Sequence, residues 1–208
     1  MKFRWIIGCG DFLDTSFHAW KQIRPDERIE KVEVCQSEDY EFDYSVLDSL
    51  DPQQGSAFVA FHESFGNFKR MELMQAAMER GLELEPFISP MASVAQNALI
   101  GPNCFIGHHC SIGHGSRIGF NTIIHNGVQI GANSVIKTSC WIENGVQVGA
   151  NVEIGAHSIL RMGAMIKKGI TVGRGCELGW PRLYHEDIPS KTVFDLRYGE
   201  PIYVYPGT

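Results

Sequence analysis

From Ile88 onward an aliphatic side chain recurs at every sixth position: Ile88, Val94, Ile100, Ile106, Ile112, Ile118, Ile124, Ile130, Ile136, Ile142, Val148, Ile154, Leu160, Ile166, Val172 and Leu178. Glycine often follows, as at Gly101, Gly107, Gly113, Gly119, Gly131, Gly149 and Gly155. Four positions after each aliphatic stands a small or β-branched residue, such as Cys104, Cys110, Ser116, Thr122, Ser134 or Cys140. A period of six fits neither a 3.6-residue helix nor a simple alternating strand. It predicts a β-solenoid in which three hexads close one triangular coil. The aliphatic and the small residue both point inward, where larger groups would overpack. The glycines are expected to turn the backbone at the corners, including at positive φ. Residues 18 apart become vertical neighbours, about 4.8 Å from one another.

Residues 1–87 lack the hexad. FRWIIG reads as a strand, with Asp11 as N-cap of a helix whose apolar face is Phe12, Ala19, Trp20 and Ile23, stopped by Pro25. KVEVCQ and SAFVAFH are two further strands, and YSVLDSL is a short helix. Asn67 caps NFKRMELMQAAMER, which ends at Gly81. Alternating strands and helices predict a small parallel α/β, Rossmann-like domain. In such a sheet ligands bind beyond the C-terminal strand ends, where Gly8, Gly10 and Asp11 lie. GCGDFLD holds only the first two glycines of a GxGxxG turn, so a plain strand-to-helix turn explains it equally well. The chain therefore divides into an α/β domain at 1–87, a β-helix at 88–180 and a C-terminal strand and tail at 181–208.

The net charge of −6, with no basic block, argues against a nucleic-acid partner. No apolar run reaches the length of a membrane span, and the first residues do not read as a signal peptide. Six cysteines without a CxxC pair fit a reducing, cytoplasmic setting.

The runs IKKGITVGRGCELG and LYHEDIPSKTVF are similar to the end of the solenoid and the exit strand in hexapeptide-repeat sugar acyltransferases. The group that the chain resembles contains the bacillosamine N-acetyltransferases and sialic-acid O-acetyltransferases, over roughly residues 84–196. The resemblance implies a left-handed β-helix, a homotrimer, acetyl-CoA or another acyl-CoA as co-substrate, and no metal. It also implies a nucleotide-linked amino sugar held at Gly8, Gly10 and Asp11, in place of the group's usual GAGGHG-type turn.

In that group a corner such as Asp-His-Asp or Gly-His-His presents the general base. Counting hexads back from IKKGITVG places that corner on Gly131, Ala132 and Asn133, so Ala132 stands where the histidine is expected. A hydroxyl acceptor gains about 10²–10⁴-fold from a positioned base. A neutral amine depends on one far less, which favours N-acylation. His114, one coil away in the same column, is the candidate relocated base, with Asn133 beside the vacancy. Trp141, Gly145, Gly163, Lys167, Lys168 and Arg174, with Arg161, are the candidate coenzyme A contacts. Two other readings stand: a non-catalytic trimeric scaffold, and a metalloenzyme of the γ-carbonic-anhydrase type using His109 and His114.

Overall fold

A computed structural model describes residues 2–204. The chain forms two compact units, residues 1–87 and 88–208.

The first unit is built on a three-stranded parallel sheet of β1 (Phe3–Gly8), β2 (Arg28–Glu33) and β3 (Gly55–Ala60), in the order β2-β1-β3. Every residue of β3 is buried, whereas β2, at the opposite edge of the sheet, buries only Ile29 and Val32. Helix α1 (Gly10–Ile23) and helix α2 (Phe68–Glu79) take opposite faces of the sheet. Trp20 of α1 packs against Phe58, with ring centroids 6.2 Å apart, while Leu73, Met74 and Ala77 of α2 share a core with Trp5, Ile7 and Val59. Arg4 is buried beneath this layer. Its guanidinium lies 4.0 Å from the Trp20 ring and pairs with Glu27 at 2.8 Å and Glu85 at 2.9 Å. Burial pushes the Glu85 carboxyl upward, but the Ser56 hydrogen bond and the Arg4 and Lys2 charges outweigh it and hold the group below its ordinary value.

Three expectations for this unit shift. Cys9, not Asp11, is the N-cap residue of α1, and Asp11 sits in the first turn. Strand β2 begins at Arg28 and ends at Glu33, before the VCQ of KVEVCQ, because its register is set by pairing with all of β1. Asn67 does precede α2, but in a left-handed conformation (φ 66°) with no side-chain cap.

The second unit is a parallel β-helix of triangular section. One sheet stacks Phe105–Ile106, Ile123–Ile124, Trp141–Ile142, Ile159–Leu160 and Glu177–Leu178. The second stacks Ser93–Val94, Ser111–Ile112, Gln129–Ile130, Gln147–Val148, Met165–Ile166 and Leu183–Tyr184. The third stacks Leu99–Ile100, Arg117–Ile118, Val135–Ile136, Glu153–Ile154 and Thr171–Val172. Each pairing joins residues 18 apart, as Ile124 with Ile142. The C-terminal strands Leu183–Tyr184 and Thr192–Phe194 continue these sheets.

The corners obey a rule finer than the one expected. From Ile100 onward, positive φ falls on the third residue after the aliphatic: Asn103, His109, Gly115, Asn121, Gly127, Asn133, Ser139, Gly145, Asn151, His157 and Gly163. The glycine directly after the aliphatic serves another purpose. A Cβ on Gly113 would stand 2.5 Å from the Ala132 nitrogen of the next coil, so this glycine allows close stacking. The inward small residues do more than fit. Ser116, Ser134 and Ser158 donate to the carbonyls of Gly131, Gly149 and Gly173, which satisfies corner acceptors inside the core. Cys104 and Cys110 do the same through sulfur to Gly119 and His125.

Candidate active site

The corner after the second sheet stacks five equivalent residues: Gln96, His114, Ala132, Ala150 and Lys168. His114 and Lys168 are exposed, and Ala132 and Ala150 lie half-buried between them. Two short side chains in succession leave a notch bounded by an imidazole at one end and an ammonium at the other. Three coil steps separate them, about 14 Å. Lys167, the last residue before this corner, is also exposed, and neither Lys167 nor Lys168 has an ion-pair partner among the described residues.

Carboxamides of the neighbouring coils flank His114. Asn97 on one side places Oδ1 3.1 Å from the Gly115 nitrogen and Nδ2 3.3 Å from His114 Nε2. On the other side, Asn133 carries its Oδ1 where a Cβ on Gly115 would come within 2.4 Å, and its backbone N–H donates to the His114 carbonyl at 2.7 Å. The glycine after His114 thus serves both the turn and the approach of Asn133.

The other expected contacts do not gather on this edge. Gly145 and Gly163 lie at the corner after the first sheet, in positive φ. Trp141 points outward from the first sheet yet is buried, its ring edge-on to His125 at 4.5 Å. Arg174 lies at the third corner, and its backbone N–H donates to Ser190 Oγ. Within one chain the six cofactor candidates therefore occupy all three edges.

A second polar feature was not foreseen. A cleft of about 500 Å³ is lined by Glu143, Arg161, Met162, Glu177, Gly179, Phe194 and Asp195, among others. Arg161 donates to Glu143 at 2.7 Å and to Glu177 at 2.8 Å, while the other Glu143 oxygen accepts the Met162 N–H. Arg161 is thus committed to two carboxylates. The signal was in the sequence, since Glu143 and Arg161 are 18 apart and Glu177 is 16 further on. Nearby, Arg197 holds the Asp195 carboxyl down to about 2.

His109 and His114 fall on successive corners, and among the described residues no three His, Cys, Asp or Glu side chains form a metal-ligand group. Burial raises the Cys110 and Cys176 thiols against several backbone hydrogen bonds, which suits core packing and not nucleophilic attack. Among the described residues no helix is long and apolar enough to cross a membrane.

In the first unit, Gly8 ends β1 where a Cβ would lie 1.8 Å from the Ala60 carbonyl oxygen, so strand packing alone demands glycine there. Gly10 opens α1 at φ 72° with free space around it. Asp11 places a carboxylate in the first turn, the position a phosphate would otherwise favour. The Cys9 thiol is raised by burial first, then by Cys35 and Glu33.

The folding pattern has close counterparts. Over 93% of both chains the structure matches a perosamine N-acetyltransferase variant from Caulobacter crescentus in complex with CoA and GDP-perosamine, at 22% identity and a TM-score of 0.81. The acetyltransferase domain of PglB from Neisseria gonorrhoeae FA1090, in complex with acetyl coenzyme A, matches over 97% of this chain and 99% of its own at 22% identity and a TM-score of 0.80. This chain has the sugar-acetyltransferase fold. Its solenoid is the left-handed hexapeptide-repeat β-helix of that fold, preceded by an α/β unit. WeeI from Acinetobacter baumannii AYE shares the fold at 13% identity, over 97% of this chain and all of its own, with a TM-score of 0.65. A profile of the GMPPB C-terminal domain matches residues 83–181, just under half of the chain. A comparison with curated proteins finds no match.

Proposed function

We propose that this protein transfers an acyl group, acetyl in the first instance, from coenzyme A to an amino group of a nucleotide-linked sugar. The observation that carries the reading is the open edge of the solenoid, where His114, the Ala132–Ala150 notch and Lys168 share one column and Lys167 stands beside it, both lysines unpaired among the described residues. The notch admits a thioester arm, and the two ammonium groups offer charge to coenzyme A phosphates. The fold shared with proteins crystallised with CoA and GDP-perosamine supports the same assignment.

An alanine at position 132 suits an amine acceptor. Once neutral, an amine attacks a thioester without a base to activate it, and water can receive the proton that is later shed. Gly10 and Asp11 at the start of α1 are assigned to the nucleotide-linked substrate, with Asp11 accepting from substrate hydroxyls. Gly8 serves the same turn by bringing β3 close. Trp141, Gly145, Gly163 and Arg174 serve the donor only in a homotrimer, where edges of different subunits meet. The cytoplasm, where acyl-CoA is made, is the compartment this chemistry requires.

The test is direct. Incubation with acetyl-CoA and a panel of nucleotide-linked amino sugars should release thiol with at least one of them. Absence of release with every acceptor, together with no calorimetric affinity for coenzyme A, would establish the non-catalytic scaffold instead.

A further inference from the structure

Asn97 has a fixed orientation, and this constrains the chemistry of His114. The Asn97 Oδ1 accepts the Gly115 N–H at 3.1 Å. A flipped amide would set its NH₂ against that N–H, donor against donor. Nδ2 is therefore the atom facing His114 Nε2, at 3.3 Å. An amide NH₂ only donates, so Nε2 must accept. In the neutral ring the proton then belongs to Nδ1. Among the described residues this exposed ring makes no other hydrogen bond.

The geometry points to Asn97 as a positioning residue that makes His114 a hydrogen-bond donor through Nδ1–H and not a base. This rests on the acyl-transfer reading and completes it. The lone pair of a neutral amine attacks the thioester carbonyl carbon, and the C=O π electrons move onto oxygen. Nδ1–H of His114 hydrogen-bonds that oxyanion and keeps its proton. Collapse re-forms the carbonyl and breaks the C–S bond. The adduct's ammonium proton passes through water to the departing thiolate, giving the amide and free thiol. No side chain at position 132 is called upon, which agrees with the alanine found there.

The experiment uses the full chain labelled with ¹⁵N, with His114 assigned by its loss in His114→Gln. Long-range ring correlations should place the neutral-state proton on Nδ1. In Asn97→Asp the carboxylate accepts from the ring, and the proton should move to Nε2. With acetyl-CoA and an amino-sugar acceptor, Asn97→Asp should lower kcat at least tenfold, at unchanged thermal midpoint and with KM for the donor within about twofold. His114→Gln, which keeps a donor, should retain far more activity than His114→Leu. A wild-type proton on Nε2 overturns the assignment, and so does a kcat indifferent to the Asn97→Asp tautomer change. Failure of the wild type to transfer any acyl group would sink the functional reading alone, since the ring spectrum is read without substrate.

Discussion

Two edges of one solenoid carry charge, and they use it differently. At the cleft beside the first sheet, Arg161 bridges Glu143 and Glu177, so its charge is spent within the chain. At the corner after the second sheet, His114, Lys167 and Lys168 project from coils whose intervening residues are Ala132 and Ala150. The backbone is the same in both places, with a left-handed residue three positions after each aliphatic from Ile100 onward. What differs is whether the stacked side chains can reach one another. Stacking at an interval of 18 brings opposite charges together in the first case. In the second, two alanines hold a histidine and a lysine apart and leave room. The edge proposed to bind the donor is the one whose column leaves its charges unpaired within the chain.

That contrast can be broken by substitution. The largest expected effect is on the open edge, where His114→Leu should cut acyl transfer by about 10²-fold, the usual cost of an oxyanion donor, with the thermal midpoint unchanged. Next, Lys167→Glu with Lys168→Glu should raise KM for acetyl-CoA by about tenfold with kcat preserved, as removal of ground-state binding requires. The closed edge should behave in the opposite sense. Arg161→Ala leaves Glu143 and Glu177 without their partner, and denaturant titration should show a loss of about 1–2 kcal/mol, with kcat intact. A fall in kcat there without destabilisation would reverse the roles of the edges. The smallest effect concerns pH. The Asp195 carboxyl lies at about 2 in the folded chain against an ordinary 3.8. Its contribution is therefore present above the ordinary value and is lost only as pH falls through about 2. An acid titration followed by fluorescence should move to higher pH in Arg197→Ala.

The sequence made the solenoid legible because every sixth residue must fill the same prism, and one slip would turn an aliphatic outward. It did not separate the two kinds of corner glycine. Gly113 and Gly115 look alike in the chain, but only Gly115 takes positive φ, while Gly113 makes room for the next coil. Asn at the left-handed position was the missed cue, since Asn103, Asn121, Asn133 and Asn151 recur in phase with it. In the first unit the N-cap of α1 falls at Cys9 and not at Asp11, because nothing local marks a helix that begins straight off a strand end. The His114 column and the Ala132 vacancy followed from counting. Asn97 did not, because its role depends on which end of an amide faces a ring. The Arg161 pairs are not legible from charge alone, because a corner cation is available to phosphate only where no acid stands one coil away, and here Glu143 does.

Acyl transfer by this chain requires the open edge to be where the acyl group is held. A crystal structure with bound coenzyme A measures this most directly. The sulfur should lie against Ala132, with His114 Nδ1 turned toward the thioester position and Lys167 or Lys168 toward phosphate. Sulfur lodged instead in the cleft beside Arg161, with the His114 corner empty, would contradict it.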